Sequence, residues 1–173
     1  ATGTAGVATY TPVCNLKTEY TITVSKGDGT GRLTVNGTTK TGTTPVTVKC
    51  RFGNTLTLPA WQSGSSSLNN ITKSNNTFVG WGTNTAKPYE HTCSATETVT
   101  AQWSACGCGT DTNATCTGNG VTNNVCQYIH TCSDGYYHAS NGSSVAYDSI
   151  NCVQCSAGNF CPTNATSQTP CPT

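Results

Sequence analysis

Cys152 and Cys155 form a C-x-x-C pair, and His130 and Cys132 upstream complete the residue types of a tetrahedral zinc site. The spacing of that upstream half, His-x-Cys, suits one tetrahedral metal poorly, and the other cysteines nearby favour bridges instead. As a redox motif the same C-x-x-C would want a thioredoxin-like βαβ pattern, and none exists here. His91, His130 and His138 lie in polar stretches with no G-x-S-x-G elbow to serve. Asp134 and Asp148 come nearest to a pair of working carboxylates. Each sits in a turn-like context, SDG and YDS, where Asp serves the backbone. The Gly-rich GDGTG at 27–31 reads as a hairpin turn rather than a phosphate cradle. Asp28 alone supplies too few oxygens for calcium. The sequence therefore names no catalytic residue, no metal site and no cofactor, and the chain reads as a non-enzyme. The remaining candidates are aromatic: Trp61, Tyr89, Tyr128, Tyr136, Tyr137 and Tyr147 could stack on sugars or on another subunit. The plainer alternative puts Trp81 and Trp103 in a core and the tyrosines over disulfides. Trp61 is the one retained as a possible binding residue.

Twelve cysteines set the context for these residues. Nine fall in the last 69 residues: Cys106, Cys108, Cys116, Cys126, Cys132, Cys152, Cys155, Cys161 and Cys171. Only Cys14, Cys50 and Cys93 precede them. All twelve are expected in disulfides, which places the chain outside the reducing cytosol, extracellular or at a cell surface. The apolar fraction is 34%, too low for one large core. Charged residues are 9% and the net charge is +1, which argues against nucleic acid as a partner. Solubility rests on neutral polar groups: Thr, Ser and Asn total 66 residues, 35 of them Thr. Six N-x-[ST] sequons, at Asn36, Asn70, Asn75, Asn113, Asn141 and Asn164, are possible glycosylation sites. No apolar run approaches the length of a membrane span, so no membrane insertion is expected. The missing Met suggests a processed product or a segment of a longer chain.

The elements read as mainly β. Residues 1–18 form a small, polar arm or linker. Tyr20, Ile22 and Val24 alternate with Thr21, Thr23 and Ser25, the period of a half-buried strand. Further strands follow at Leu33 and Val35, at 45–50, at Leu56 and Leu58, at 77–81 and at 97–103. Residues 62–76 read as a polar loop, and no helical periodicity reaches eleven residues. The last third holds no Leu, Met or Trp, so disulfides must make most of its core. Three units result: an arm at 1–18, a sheet domain at 19–104 and a disulfide-rich, loop-dominated domain at 105–173.

Within the sheet domain, Phe78, Gly80, Trp81, Ala101 and Trp103 sit in FVGWGTNTAKPYEHTCSATETVTAQW. This stretch resembles the end of a Listeria–Bacteroides repeat, also called the internalin B-repeat, and the match extends over about 19–104. The resemblance implies a small β-grasp-like module of secreted or surface proteins. Cys50, Cys93 and the long Ser/Asn loop depart from the family and imply a short or missing helix. Gly135, Tyr136, Tyr137, Cys152, Cys155, Gly158, Phe160, Cys161 and Pro162 more loosely resemble growth-factor-receptor-like Cys-rich repeats.

The expected function is that of an extracellular structural protein: a subunit or repeat of a surface stalk, adhesin or filament. The alternative is a glycan- or receptor-binding adhesion module. Self-association is the expected partner relation, with residues 1–13 as an arm able to add to a neighbour's strand edge. Three cysteines before residue 105 and nine after it are both odd counts, so full oxidation needs a bridge across that boundary or between chains. Cys50 and Cys93 are expected to pair, which leaves Cys14 to reach the C-terminal part or a neighbour.

Overall fold

The computed structural model describes residues 16–83 and 88–172. Every regular element among them is a strand. The chain is mainly β and disulfide-rich, as its composition implies. The first part contains β1 (Glu19–Ser25), β2 (Leu33–Val35), β3 (Thr38–Lys40), β4 (Val46–Arg51), β5 (Thr55–Leu58), β6 (Asn76–Trp81), β7 (Tyr89–Thr92) and β8 (Glu97–Ala105). β3 and β7 were not legible as strands, because neither TTK nor YEHT alternates apolar with polar residues.

The main sheet has the order β4-β1-β8-β6. β4 and β6 run antiparallel to their neighbours, while β1 and β8 at the centre run parallel. Alternation puts Ile22, Val24, Val46, Val48, Val99 and Ala101 on one buried face. The β2–β3 hairpin and the two-stranded β5–β7 sheet lie against that face and add Leu33, Val35, Leu56 and Leu58 to the core. The stretch 62–76 is more than a surface loop. Ile71 and Asn69 are fully buried beneath it, and bridges Thr30 to Thr72 and Leu33 to Asn69 tie it down. No helix covers the sheet among the described residues.

Phe78 and Trp81 are three residues apart, so an unbroken strand would turn them to opposite faces. A bulge between Phe78 and Gly80 inserts one residue against β8 and returns both rings to the core. They meet edge to face at 5.1 Å, each 1% exposed. Trp103 differs from expectation, being only partly buried. Its ring packs edge-on to Phe78 at 5.9 Å and its Nε1 donates to Lys26 O at 3.1 Å. It sits beside the core because β8 continues past Thr100, whose pair with Ser25 is the last one between β8 and β1.

The last third is built on a hairpin of β9 (Ala114–Thr122) and β10 (Val125–Cys132). Its two-residue turn is Asn123-Asn124, with φ of 50° and 60°. Both residues are left-handed, as the favoured hairpin turn requires, and Asn tolerates that conformation. β12 (Ser144–Val145) adds to β10, while β11 (Tyr136–Tyr137) pairs with β13 (Val153–Gln154) and β14 (Asn159–Phe160) with β15 (Thr169–Pro170). The apolar cluster here is only Cys132, Ile150 and Cys152, with Ala114 and Tyr136 against it. Disulfides supply the rest: Cys106–Cys126, Cys108–Cys116, Cys132–Cys152 and Cys155–Cys161. In the first part Cys50 is joined to Cys93. Cys171 is exposed and unbridged among the described residues, and Cys14 lies outside them.

Candidate functional site

The zinc arrangement does not form. Cys152 and Cys155 belong to different disulfides, and Cys132 is the partner of Cys152. The structure instead gathers Asp111, Cys116 and His130, with ligand atoms within 4.8 Å of one another. The Cys116 sulfur is already bonded to Cys108, so no thiolate is available there.

His130 is fully buried on β10, on the face it shares with Tyr128 and Cys132. Its Nδ1 lies 2.9 Å from Asp111 Oδ2 and its Nε2 lies 3.0 Å from Tyr147 O. Both partners are acceptors, so only the imidazolium can donate to both. Burial alone would lower the pKa. The Asp111 hydrogen bond, the Tyr147 carbonyl and the charges of Asp111 and Asp148 outweigh it and raise the pKa above its ordinary value. Asp111 Oδ1 also accepts from Ile150 N at 2.9 Å, and the Tyr147 ring stacks on His130 at 5.9 Å. This is a buried charged clamp joining β10 to the 147–150 segment.

Two other histidines have separate roles. His91 Nε2 lies 3.2 Å from Glu97 Oε1, near enough for an ion pair but not aligned as a hydrogen bond. His138 Nδ1 accepts from Ser140 N at 3.2 Å and from Ser140 Oγ at 2.9 Å. Ser140 Oγ also contacts the Tyr147 hydroxyl. His138 and Tyr147 line an open cleft of about 460 Å³. A serine–histidine pair needs a third group to orient the base, and no carboxylate bonds His138 among the described residues. Asp134 accepts from Thr163 Oγ1, while Asp148 packs beside Gly109 and its carbonyl accepts from Gly109 N. The two carboxylates thus have different partners.

Lys26, in the turn after β1, is the buried charge that sequence reasoning missed. It is 0% exposed, and its Nζ donates to Gly42 O at 2.7 Å, Gly31 O at 2.8 Å and Lys40 O at 3.3 Å. Three carbonyls use all three ammonium protons. Burial lowers its pKa from the ordinary lysine value. Nothing in KGDGTG distinguishes this lysine from a solvated turn residue.

The aromatic candidates separate by burial. Tyr128 is buried, Tyr89, Tyr136 and Tyr137 are half-buried, and Tyr147 is 45% exposed. Trp61 packs against the first core and its Nε1 donates to Ile71 O at 2.9 Å. It also lines a cleft of about 240 Å³ between the two parts. Asp28 and Lys73, paired at 3.4 Å, and the amides of Asn75, Asn76 and Asn123 complete its walls. Of the sequons, Asn36, Asn75, Asn113 and Asn164 are exposed. Asn141 is closed to modification in the folded chain: it is buried, accepts from Cys132 N at 3.0 Å and donates to Ala165 O at 2.9 Å. Asn70 is half-buried and bonded to Arg32 N and Gly64 O.

Fold and site together define a mainly-β, disulfide-rich protein whose conspicuous polar groups are bound up in its own structure. Compared with known proteins, the chain matches no family model, no curated protein sequence and no solved structure. No helix among the described residues is long and apolar enough to cross a membrane.

Proposed function

We propose that this chain is an extracellular structural module, a subunit or repeat of a surface stalk, adhesin or filament, and not an enzyme. The observation that carries this is the use of its reactive side chains. Ten cysteines close five bridges. The buried His130–Asp111 pair and Lys26 serve as internal struts. Disulfides of this density belong to oxidising compartments, where small domains need them. The mixed sheet with a parallel central pair supports a β-grasp-like reading of 19–104, and with it the resemblance to surface-protein repeats. Negative-stain microscopy of the purified protein tests the reading: oligomers or filaments are expected, and a uniform monomer at high concentration counts against it.

The Trp61 cleft favours a second reading, a glycan-binding adhesion module. An indole beside several amides can combine stacking with hydrogen bonds to hydroxyls. Glycan-array binding that is lost in Trp61→Ala, while the variant stays folded at the assay temperature by circular dichroism, would establish it.

A further inference from the structure

The four-stranded sheet has two edges, and the chain treats them differently. At β6 the side chain of Asn124 stands in for a neighbouring strand. Its amide nitrogen donates to Phe78 O at 2.9 Å, and its oxygen accepts from Phe78 N at 2.6 Å. At β4 no strand pairs with the outer edge among the described residues. β4 and β5 are joined by residues 52–54, yet they diverge instead of pairing. Among the described residues β5 pairs only with β7, so its second edge is also unpaired there. Between β4 and β5 opens a groove of about 590 Å³, walled by Lys49, Cys50 and Arg51 on one side and Thr55, Leu56 and Thr57 on the other. Its closed end is fixed by the Asn54 N to Arg51 O bond, the Gly53 N to Cys93 O bond and the Cys50–Cys93 bridge.

We propose that this groove accepts residues 1–13 of a second copy as an added strand. The inference rests on the self-assembling reading above and names its contact. An extended chain laid there would bond β4 with one edge and β5 with the other, joining the main sheet to the β5–β7 pair. Residues 1–13 carry no charged side chain, and Val7, Thr9 and Thr11 place β-branched residues at every second position before Pro12, which has no N–H to donate and ends the paired run. The charged residues Glu19, Lys49 and Arg51 at the groove are exposed. A strand with no charged side chain can therefore enter without burying a charge. The segment joins the fold at the groove's closed end, where Phe52 N donates to Thr18 O at 2.8 Å. Because Thr18 lies at the closed end, entry into the chain's own groove would demand a reversal around the end of β4. Donor and acceptor are different surfaces, so the contact is head-to-tail and builds a filament if its rotation does not close into a ring.

The test compares the full chain with one lacking residues 1–13, by sedimentation over a concentration series. A synthetic peptide of residues 1–13 is then added to the truncated protein, and hydrogen exchange is read at 46–51, 55–58 and 76–81. The full chain is expected to assemble and the truncated chain to stay monomeric. With the peptide at about a hundred times its Kd, exchange at 46–51 and 55–58 should slow by roughly a hundredfold, with 76–81 unchanged. Assembly that persists without residues 1–13 overturns the groove while leaving the structural-subunit reading intact. A peptide that protects neither β4 nor β5 also overturns it. A full chain that stays monomeric at every concentration, with β4 protected or not, overturns the proposal and removes the filament reading with it.

Discussion

His130 and Asp111 give the C-terminal part a defined response to pH. The unfolded histidine titrates near 6.5, and the folded one titrates higher. The extra stability is therefore fully present below about 6.5 and is lost as pH rises through the folded value. Thermal melts from pH 5 to 9 should show the 105–173 part loosening toward alkaline pH, and His130→Gln should flatten that slope. Asp111→Ala leaves a buried cation unpaired and should cost about 3–5 kcal/mol in chemical denaturation. A wild-type profile that is flat across this range would contradict the clamp. Lys26 differs in kind: its partners are carbonyls, which do not titrate, and burial lowers its own pKa, so the slope it adds has the opposite sign, with stability rising as pH climbs.

The β9–β10 turn and β6 form the junction between the two parts, and Asn124 is the element-scale probe. Asn124→Gly keeps the left-handed turn but removes both bonds to Phe78. It should cost about 1–2 kcal/mol and speed exchange of the Phe78 amide. A second comparison concerns the tryptophans. Trp81 is enclosed and Trp103 is only partly so. Trp81→Ala should therefore cost roughly 5 kcal/mol and Trp103→Ala roughly 3, measured by denaturant midpoint. Equal losses would mean that the bulge does not divide their roles. Six strands of the first part were legible because Ile22, Val24, Val46, Val48, Leu56 and Leu58 alternate cleanly with polar residues. β3 and β7 were hidden because their pairing partners, β2 and the distant β5, hold them and not an apolar period. In the last third, Tyr128, His130 and Cys132 do alternate on the buried face of β10, but a histidine and a cysteine are weak hydrophobic signals. The clamp itself was illegible: Asp111 and His130 are 19 residues apart, and only the folded hairpin brings them together.

At the scale of the molecule the cysteines impose an accounting. Five bridges use ten of them, leaving Cys14 and Cys171. A non-reducing peptide map should return the five pairs and place Cys14 and Cys171 in a bridge with each other or with neighbouring chains. Free thiol at either position would defeat that expectation. Loss of Cys50–Cys93 should cost about 2–5 kcal/mol and would also release the closed end of the β4–β5 groove.

The parallel pairing of β1 with β8 has a consequence under load. Ile22 faces Glu97, Thr23 faces Thr98, Val24 faces Val99 and Ser25 faces Thr100. A pull applied through residues 16 and 105 draws these strands in opposite directions along their length. Their hydrogen bonds then resist together in shear instead of opening one at a time. In single-molecule stretching, the sheet should yield at higher force through 16 and 105 than through 46 and 105, and it should yield in one step. A stalk built from such units would carry tension along the direction in which its sheet is hardest to break.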